Sequence, residues 1–370
     1  MLEVEKMRNP HLRINLDAIT YNASMVRKIC TARGIWADSV VKCVCGDIQI
    51  SNAIIEGGIH SLMDSRMKNI VRLRGDGIKC PLGLLRIPML SELSSVVSYA
   101  DWSLISMPET INELEKICSL EKKEFKVLLM IDIGDLREGI WPDRIYETAD
   151  VFRKCKWISC IGAGTNFGCF GGVMPSEKNL SMLVKFAMEL RRDLGKEEWL
   201  ISGGGTNLFY PMVNGEIKTV GINHLRIGGA MLRGKCGTED IKGLRQDTVF
   251  LSAEYVEIEK KPSQPIGHIG IDAFGKVPHF EDRGMRYRGV AALGKQDVIP
   301  EDITPLVEGI SVLGASSDHL VLDVEEASPR PKVGDNLIFS FRGYGGMLQA
   351  FNSDYVERHY VRDNQNICIR

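Results

Sequence analysis

A lysine within a run of apolar residues is the first position in this sequence that could do chemistry. Lys42 lies in the segment Val40–Val44, whose other residues are valine and cysteine. Burying a charged lysine without a partner is costly, so the position needs a reason. One reason is Schiff-base chemistry, which a desolvated lysine performs well. The alternative is a lysine near a strand end whose ammonium group reaches water.

Two glycine-rich turns offer the backbone amides that a phosphate group needs. One turn is Ser202–Thr206 and the other is Arg226–Gly229. Each follows a predicted strand and leads into a short helix, where free N–H groups can bind an anion. Glycines also serve simply to make turns tight, so each turn alone is a weak signal. Together with Lys42, the two turns indicate a site for a phosphate-bearing cofactor.

Alternating strands and helices must position these residues, and this pattern continues up to about Gly237. The candidate strands are Ser39–Val44, His60–Met63, Gly83–Ile87, Trp102–Ile105, Phe125–Ile131, Trp157–Gly162, Trp199–Ser202 and Asn223–Arg226. Helical stretches between them include Ala18–Thr31, Ile48–Glu56, Pro108–Cys118, Arg144–Lys154 and Ser176–Leu194. Eight such units predict an α/β fold, a closed (β/α)8 TIM barrel, whose chemistry lies at the carboxyl ends of the strands.

Shorter alternating segments follow, separated by turn-like clusters of Pro, Gly and Asp. They are Phe250–Glu259, Arg288–Leu293, Ile310–Leu313, His319–Val324 and Asn336–Phe341. This pattern predicts an antiparallel β domain. The predicted boundaries are residues 11–237 for the barrel and 238–370, with 1–10, for the β domain.

Composition excludes several classes of function. The chain has 370 residues, a length that fits two domains, and its net charge of -2 gives no basic excess for nucleic acid or an anionic membrane. Apolar runs are too short to span a bilayer, and the first ten residues lack the apolar core of a signal peptide. The ten cysteines show neither disulfide spacing nor a CxxC pair for zinc, so we expect a reduced cytoplasmic protein without a metal.

Short motifs occur in order along nearly the whole chain. They are Arg13–Asp17 with Asn22, Val41–Lys42, Leu85–Pro88, Asp132–Gly139, Gly164–Asn166, His224–Gly228, Asp272–Gly275, Gly294–Asp297 and Gly314–His319. Together they resemble the fold-type III pyridoxal-phosphate (PLP) enzymes of the alanine racemase superfamily. The resemblance is closest to the alanine/ornithine racemase branch.

The resemblance implies roles for individual residues. Lys42 would hold PLP as a Schiff base and move a proton on one face of the substrate. Arg226 would hydrogen-bond the pyridine nitrogen and, because arginine stays protonated, leave that nitrogen unprotonated, which favours racemisation over side reactions. Arg137 would support the opposite catalytic residue and bind the substrate carboxylate. The alternative for Arg137 is an ion pair with Asp135 or Glu138.

The same resemblance implies the remaining cofactor contacts. Thr206, Gly228 and Gly229 would cradle the phosphate, assisted by Tyr355, for which the alternative is a core tyrosine of the β domain. Asn166 replaces a histidine that can stack on the ring in related enzymes. The predicted cofactor-binding residues are therefore Lys42, Asn166, Ser202, Thr206, Arg226, Gly228, Gly229 and Tyr355.

The chain departs from the family at the second catalytic base. Related enzymes place a tyrosine there, donated by the β domain of the partner subunit, whereas this sequence has Lys295. Lys295 is the predicted second acid or base if it is desolvated; the alternative is a surface lysine paired with Asp297. His268 and His319 are further candidates. The position that often carries a carbamylated lysine is Met130, so that modification is not expected.

An acidic segment bears on the substrate. Residues 266–284 contain Asp272, Glu281 and Asp282, whose carboxylates would suit the distal ammonium group of ornithine or lysine better than alanine. The alternative is a solvated acidic loop. The predicted substrate-binding residues are Arg137, Asp272, Ser317 and Asp318.

The resulting prediction is a PLP-dependent racemase that exchanges the Cα proton of an amino acid, ornithine, lysine or alanine, in a head-to-tail homodimer with shared active sites. One alternative is a non-catalytic PLP carrier, although such relatives lack a β domain. Another is a fold-type III lyase, a D-amino-acid dehydratase or aldolase, which binds a metal through a His/Cys pair. The spacing of His359 and Cys368 does not match that pattern. A decarboxylase is a further option.

Overall fold

Eight parallel strands close into a barrel in their order along the chain, as predicted from the strand–helix alternation. The computed structural model describes residues 9–363. A first strand, β1 (His11–Asn15), precedes the barrel. The barrel strands are β2 (Trp36–Val40), β3 (Leu62–Asp64), β4 (Leu82–Leu84), β5 (Trp102–Ile105), β6 (Phe125–Met130), β7 (Ile158–Gly164), β8 (Leu200–Ser202) and β9 (His224–Ile227).

Helices surround the barrel and return the chain from each strand to the next. They are α1 (Leu16–Thr31), α2 (Ile48–Glu56), α3 (Met67–Gly75), α4 (Leu93–Tyr99), α5 (Pro108–Glu121), α6 (Ile145–Lys154), α7 (Glu177–Asp193), α8 (Thr206–Val213) and α9 (Gly229–Arg233). Their starts carry local signals: the Asp47 side chain accepts from Ile50 N before α2, and Pro108 opens α5.

The barrel interior is filled by apolar side chains from several strands, as expected for strands buried on both faces. The central cluster consists of Val40, Met63, Trp102, Leu104, Leu128 and Met130. Gly83 makes room for the largest of them, since a Cβ there would lie 2.6 Å from the Trp102 ring. This packed layer leaves the carboxyl ends of the strands as the place for chemistry.

An antiparallel sheet forms the second unit, as the later sequence pattern predicts. After a small hairpin, β10 (Lys235–Cys236) and β11 (Glu239–Asp240), come β12 (Val249–Pro262), β13 (Met285–Ala291), β14 (Ile303–Pro305), β15 (Ser311–Ala315), β16 (Leu320–Asp323), β17 (Asn336–Phe341), α10 (Tyr344–Asn352) and β18 (Glu357–Val361). The sheet order is β14-β17-β12-β13-β16-β15, and β1 pairs with β12 and β18.

The boundaries between the two units differ from those expected. The barrel unit comprises residues 16–246, and the β unit comprises residues 9–15 and 247–363 of the described chain. Residues 11–15 were expected in the barrel, but they form β1 of the β unit because their backbone pairs with β12 and β18. Within residues 9–363, no helix combines the length and apolarity needed to cross a membrane.

Candidate active site at the carboxyl ends of the barrel strands

Lys42 lies just past the carboxyl end of β2. The strand stops at Val40, and Lys42–Val44 forms a single 3-10 turn. Cys45 ends the turn in the left-handed conformation, with φ 54°, and its N–H donates to the Lys42 carbonyl. The predicted strand through Val44 was therefore too long, because the last apolar residues form a buried turn. This turn leaves Lys42 half-buried at the end of the barrel where active sites form.

Two glycine turns lie beyond β8 and β9. Gly205 is the N-cap of α8 and Gly228 is that of α9, and neither has a side chain that could bind the first amides of its helix. Thr206 joins the turns, since its hydroxyl accepts a 3.3 Å hydrogen bond from Ala230 N. Gly229 lies beside it, where an added Cβ would be 3.5 Å from Thr206 Oγ1. Backbone amides from two helix starts are thus close together, an arrangement that suits an anion.

Arg226 is a buried cation of β9, with 4% of its surface exposed. Its Nη2 donates to the Thr165 carbonyl and, at 3.2 Å, to Asn166 Oδ1, while Nη1 lies 3.7 Å from Met130 Sδ. Burial lowers the pKa of Arg226 to about 10, and the negative charge of Glu138 opposes this shift. The guanidinium therefore stays protonated at neutral pH. Its Nε is buried and has no hydrogen-bond partner among the described protein atoms.

Glu138 joins two of the predicted site residues. Arg137 Nη2 donates to Glu138 Oε1 at 2.7 Å, and Asn166 Nδ2 donates to the same oxygen at 2.6 Å. Of the two ion pairs considered for Arg137, the one with Glu138 is formed, whereas the Asp135 carboxylate accepts backbone N–H groups of residues 169–170. From the sequence, Glu138 was predicted only as a possible ion-pair partner of Arg137. The pairing with Arg137 could be predicted because the two residues are adjacent in the sequence. No sequence pattern predicts the contact between Glu138 and Asn166.

Ser202 is part of a second chain of hydrogen-bonded side chains. This residue is fully buried, and its hydroxyl lies 2.9 Å from His224 Nδ1. His224 Nε2 in turn lies 3.0 Å from the buried Asp38 carboxylate, which also accepts from Trp36 Nε1. The Ser202 side chain was predicted to bind the cofactor, but it faces His224 inside the barrel. Ser202 is therefore not among the proposed cofactor contacts.

The predicted second base lies in the β unit. Lys295 Nζ is 3.8 Å from the centre of the Phe274 ring, which is a cation–π contact. The alternative pairing with Asp297 is not formed, because that carboxylate accepts from Ser353 Oγ at 2.7 Å and from Gly294 N at 3.3 Å. Lys295 is half-buried.

Ser317 and Asp318 lie next to Lys295 within the β unit. The Gln296 N–H donates to the Ser317 carbonyl at 3.1 Å, and the Lys295 N–H donates to Ser316 O at 2.9 Å. The Asp318 carboxylate accepts from the Gln296 side chain and, at 2.5 Å, from Ser317 Oγ. Three predicted site residues from two separate loops are thus brought together here.

Asp272 and Tyr355 are the other predicted site residues of the β unit. Asp272 Oδ1 accepts from Phe274 N and from Lys276 N, both at 2.9 Å, and the latter bond is the main cause of the lowered pKa of Asp272. Its carboxylate therefore shapes its own loop. The Tyr355 side chain is 60% exposed, so the interpretation as a core tyrosine is wrong.

Comparison with family models matches residues 14–235 to the family described as alanine racemase, N-terminal domain. The chain is 39% identical to the lysine racemase of Thermotoga maritima over 95% of this chain and 98% of that protein. It is 38% identical to the ornithine racemase of Acetoanaerobium sticklandii over 95% and 99% of the two chains. The alanine racemase of Treponema denticola is 27% identical over 48% of this chain and 47% of that protein.

Solved structures share the fold at lower identity. The alanine racemase of Clostridium difficile superposes with a TM-score of 0.74 at 16% identity, covering 98% of both chains. The alanine racemase of Streptomyces lavendulae gives 0.76 at 16% identity, over 96% of this chain and 98% of that chain. Both confirm the barrel followed by an antiparallel sheet.

Proposed function

The chain belongs to the alanine racemase family and is an amino-acid racemase, and from this we propose that its substrate is ornithine or lysine. Two proteins named for these substrates match it at 38% and 39% identity over nearly their whole length. The alanine racemase of T. denticola matches less than half of the chain. Specificity for a basic amino acid, rather than for alanine, is therefore the proposal that the relatives support best.

The proposal that the cofactor is PLP rests on the unpartnered Nε of Arg226. A buried donor without an acceptor costs about 1–3 kcal/mol, so the site fits a ligand that brings an acceptor. The pyridine nitrogen of PLP is such an acceptor. In the proposed complex Arg226 binds this nitrogen, Lys42 holds the cofactor through Nζ, and Thr206 with the amides of Gly228 and Gly229 binds the phosphate.

Racemisation needs proton transfer on both faces of Cα. When bound, PLP supplies a conjugated ring that accepts the electron pair left at Cα. Lys42 moves the proton on one face through Nζ, and we propose Lys295 for the other. Arg137, one-third exposed at its side chain, binds the substrate carboxylate as a guanidinium fork.

The distal ammonium group of the substrate needs a carboxylate. Asp318 is the favoured partner, because it is exposed and hydrogen-bonded beside Lys295, with Ser317 next to it. Asp272 is the second candidate, because its Oδ1 accepts from two backbone N–H groups of its own loop, whereas the donors to the Asp318 carboxylate are the side chains of Gln296 and Ser317. A charged partner of this kind would discriminate against alanine.

We further propose a cytoplasmic head-to-tail homodimer. The nine described cysteines are all free thiols, which suits a reducing compartment. In the dimer each β unit would supply Lys295 to the barrel of the other subunit. The carrier and lyase alternatives are not favoured, because the full-length relatives are racemases.

The test is exchange of the Cα proton. The protein loaded with PLP is incubated with single L-amino acids in deuterium oxide, and exchange is followed by NMR and product chirality by chromatography. We expect exchange with formation of the D-enantiomer, fastest for ornithine or lysine and lost in Lys42→Ala. Lys28→Ala, at an exposed lysine of α1, is the matched control and should keep full activity. Deuterium exchange confined to alanine would contradict the proposed substrate.

A further inference from the structure

The loop between β6 and α6 brings one carboxylate into contact with two predicted site residues. Glu138 pairs with Arg137 through both of its oxygens, since Arg137 Nη2 lies 2.7 Å from Oε1 and Nε contacts Oε2. The same Oε1 accepts from Asn166 Nδ2 at 2.6 Å. Bidentate pairing of this kind fixes the plane of a guanidinium as well as its position.

Asn166 extends this contact to Arg226. Its Oδ1 accepts from Arg226 Nη2 at 3.2 Å, while its Nδ2 is held by Glu138. If the amide were turned over, its NH2 group would face the guanidinium and its oxygen would face the carboxylate, so both bonds would be lost. Glu138 therefore determines which end of the amide Arg226 meets.

The loop that carries Glu138 is held by the Asp132 carboxylate, which binds backbone N–H groups of the loop. Asp132 Oδ1 accepts from Gly134 N at 2.8 Å and from Leu136 N at 3.2 Å. Gly139 has φ 137°, and a Cβ there would lie 2.4 Å from Asp132 N, so the loop closes back onto the end of β6. The carboxylate is thus presented by a closed loop.

The charges also support this arrangement. Burial lowers the pKa of Arg226, the charge of Glu138 raises it, and the positive charge of Arg137 lowers it further. Two like charges near one site favour an anion between them. Glu138 supplies that charge, with 22% of its side chain exposed.

We propose that Glu138 is a positioning residue of the racemase, which orients Arg137 directly and Arg226 through the Asn166 amide. This inference rests on the proposed function for Arg137 and Arg226. It assigns no proton transfer to Glu138. Its consequence is that the substrate-carboxylate and ring-nitrogen contacts depend on a single side chain.

The test begins with Glu138→Gln, which keeps the shape but removes the charge and one acceptor. We expect kcat to fall about tenfold to a hundredfold, and PLP to bind apoprotein about tenfold more weakly, as for the loss of a charged hydrogen bond. Affinity is measured by absorbance titration with PLP. The melting temperature of the apoprotein should change little. Glu147→Gln is the matched control, because Glu147 pairs with Arg144 on the surface, and it should leave both quantities unchanged.

A swap variant separates positioning from a general loss of structure. In Glu138→Gln with Asn166→Asp, the new amide can accept from Arg137 and donate to the new carboxylate, which accepts from Arg226. We expect the swap to recover most of the lost PLP affinity. Asn166→Ala alone should weaken PLP binding but leave the KM of the substrate near its original value. Should Glu138→Gln fail to fold, Asn166→Ala and the swap still decide the question.

Two outcomes would overturn the proposal. One is a Glu138→Gln protein with the kcat and PLP affinity of the original chain. The other is a swap variant that is as impaired as, or more impaired than, Glu138→Gln. A failure of the proposed function looks different: the original protein would bind PLP but racemise no amino acid, while the PLP affinities would still report on the orientation of Arg226.

Discussion

Arg226 shows how a cation is maintained inside the barrel. Desolvation disfavours its charge, and two oxygen acceptors and the charge of Glu138 offset part of that cost. The unpartnered Nε remains. A buried donor without an acceptor destabilises the site. A ligand that provides an acceptor for this Nε removes that cost, which is about 1–3 kcal/mol of binding free energy.

Buried thiols are the second feature at this scale. Burial raises the pKa of Cys30 and of Cys160 to about 12, from an ordinary value of 9.0. A thiol must ionise to react, so these two groups should be inert near neutral pH. Cys169, by contrast, is an exposed residue.

Brief alkylation should distinguish these thiols. With iodoacetamide at pH 8, peptide mapping should find Cys169 modified first and Cys30 and Cys160 unmodified until denaturant is added. Above pH 9 the unfolded chain loses thiol protons that the folded chain keeps up to about pH 12, so the free energy of unfolding should fall as pH rises through this window. Equal alkylation rates for Cys160 and Cys169 at pH 8 would contradict the burial of Cys160.

At the scale of elements, the turn after β8 packs closely against β9. The Arg226 N–H donates to the Gly204 carbonyl at 2.8 Å, and a Cβ at Gly205 would lie 2.5 Å from the Arg226 carbonyl oxygen. Only glycine allows this approach. The turn and the strand must therefore move together.

Gly205→Ala should separate them. We expect the melting temperature to fall and PLP affinity to weaken at least about tenfold, because the start of α8 must shift away from β9. Gly75→Ala is the control: Gly75 ends α3, and a Cβ there meets nothing within 4 Å. Both variants are measured by thermal unfolding and PLP titration. Unchanged affinity in Gly205→Ala would mean that this turn is not part of the phosphate site.

At the scale of the whole molecule, the predicted acid–base residues belong to different units. Lys42 lies in the barrel unit and Lys295 in the β unit. In the proposed dimer they would come from different subunits at each site. Such a dimer would make each active site depend on residues of two chains.

Complementation between inactive variants tests this sharing. Lys42→Ala and Lys295→Ala, co-expressed with different tags, would form mixed dimers in which one site has both lysines and the other has neither. Random pairing makes half of the dimers mixed, so activity should recover to about a quarter of the original. Each variant expressed alone is the control. If both lysines of a site came from one chain, mixing would restore nothing.

The sequence by itself determined the barrel, the β domain and the residues at the strand ends. Apolar runs alternating with amphipathic helices specify parallel units, and glycines mark the turns, because both signals are local. The position of Lys42 and of the two glycine turns at the strand ends was therefore predictable. The exact end of β2 was not, since an apolar run continues unchanged from strand into buried turn.

Only the tertiary structure decided which polar groups meet. The contact of Glu138 with Asn166 joins residues 28 positions apart, and that of Asn166 with Arg226 joins residues 60 apart. The Ser202 hydroxyl likewise lies within hydrogen-bond distance of His224, 22 positions away, and β1 pairs with β12 of the β unit. Hydrogen-bond partners depend on how closed loops and strand registers bring distant atoms within about 3 Å, and no local pattern encodes that distance.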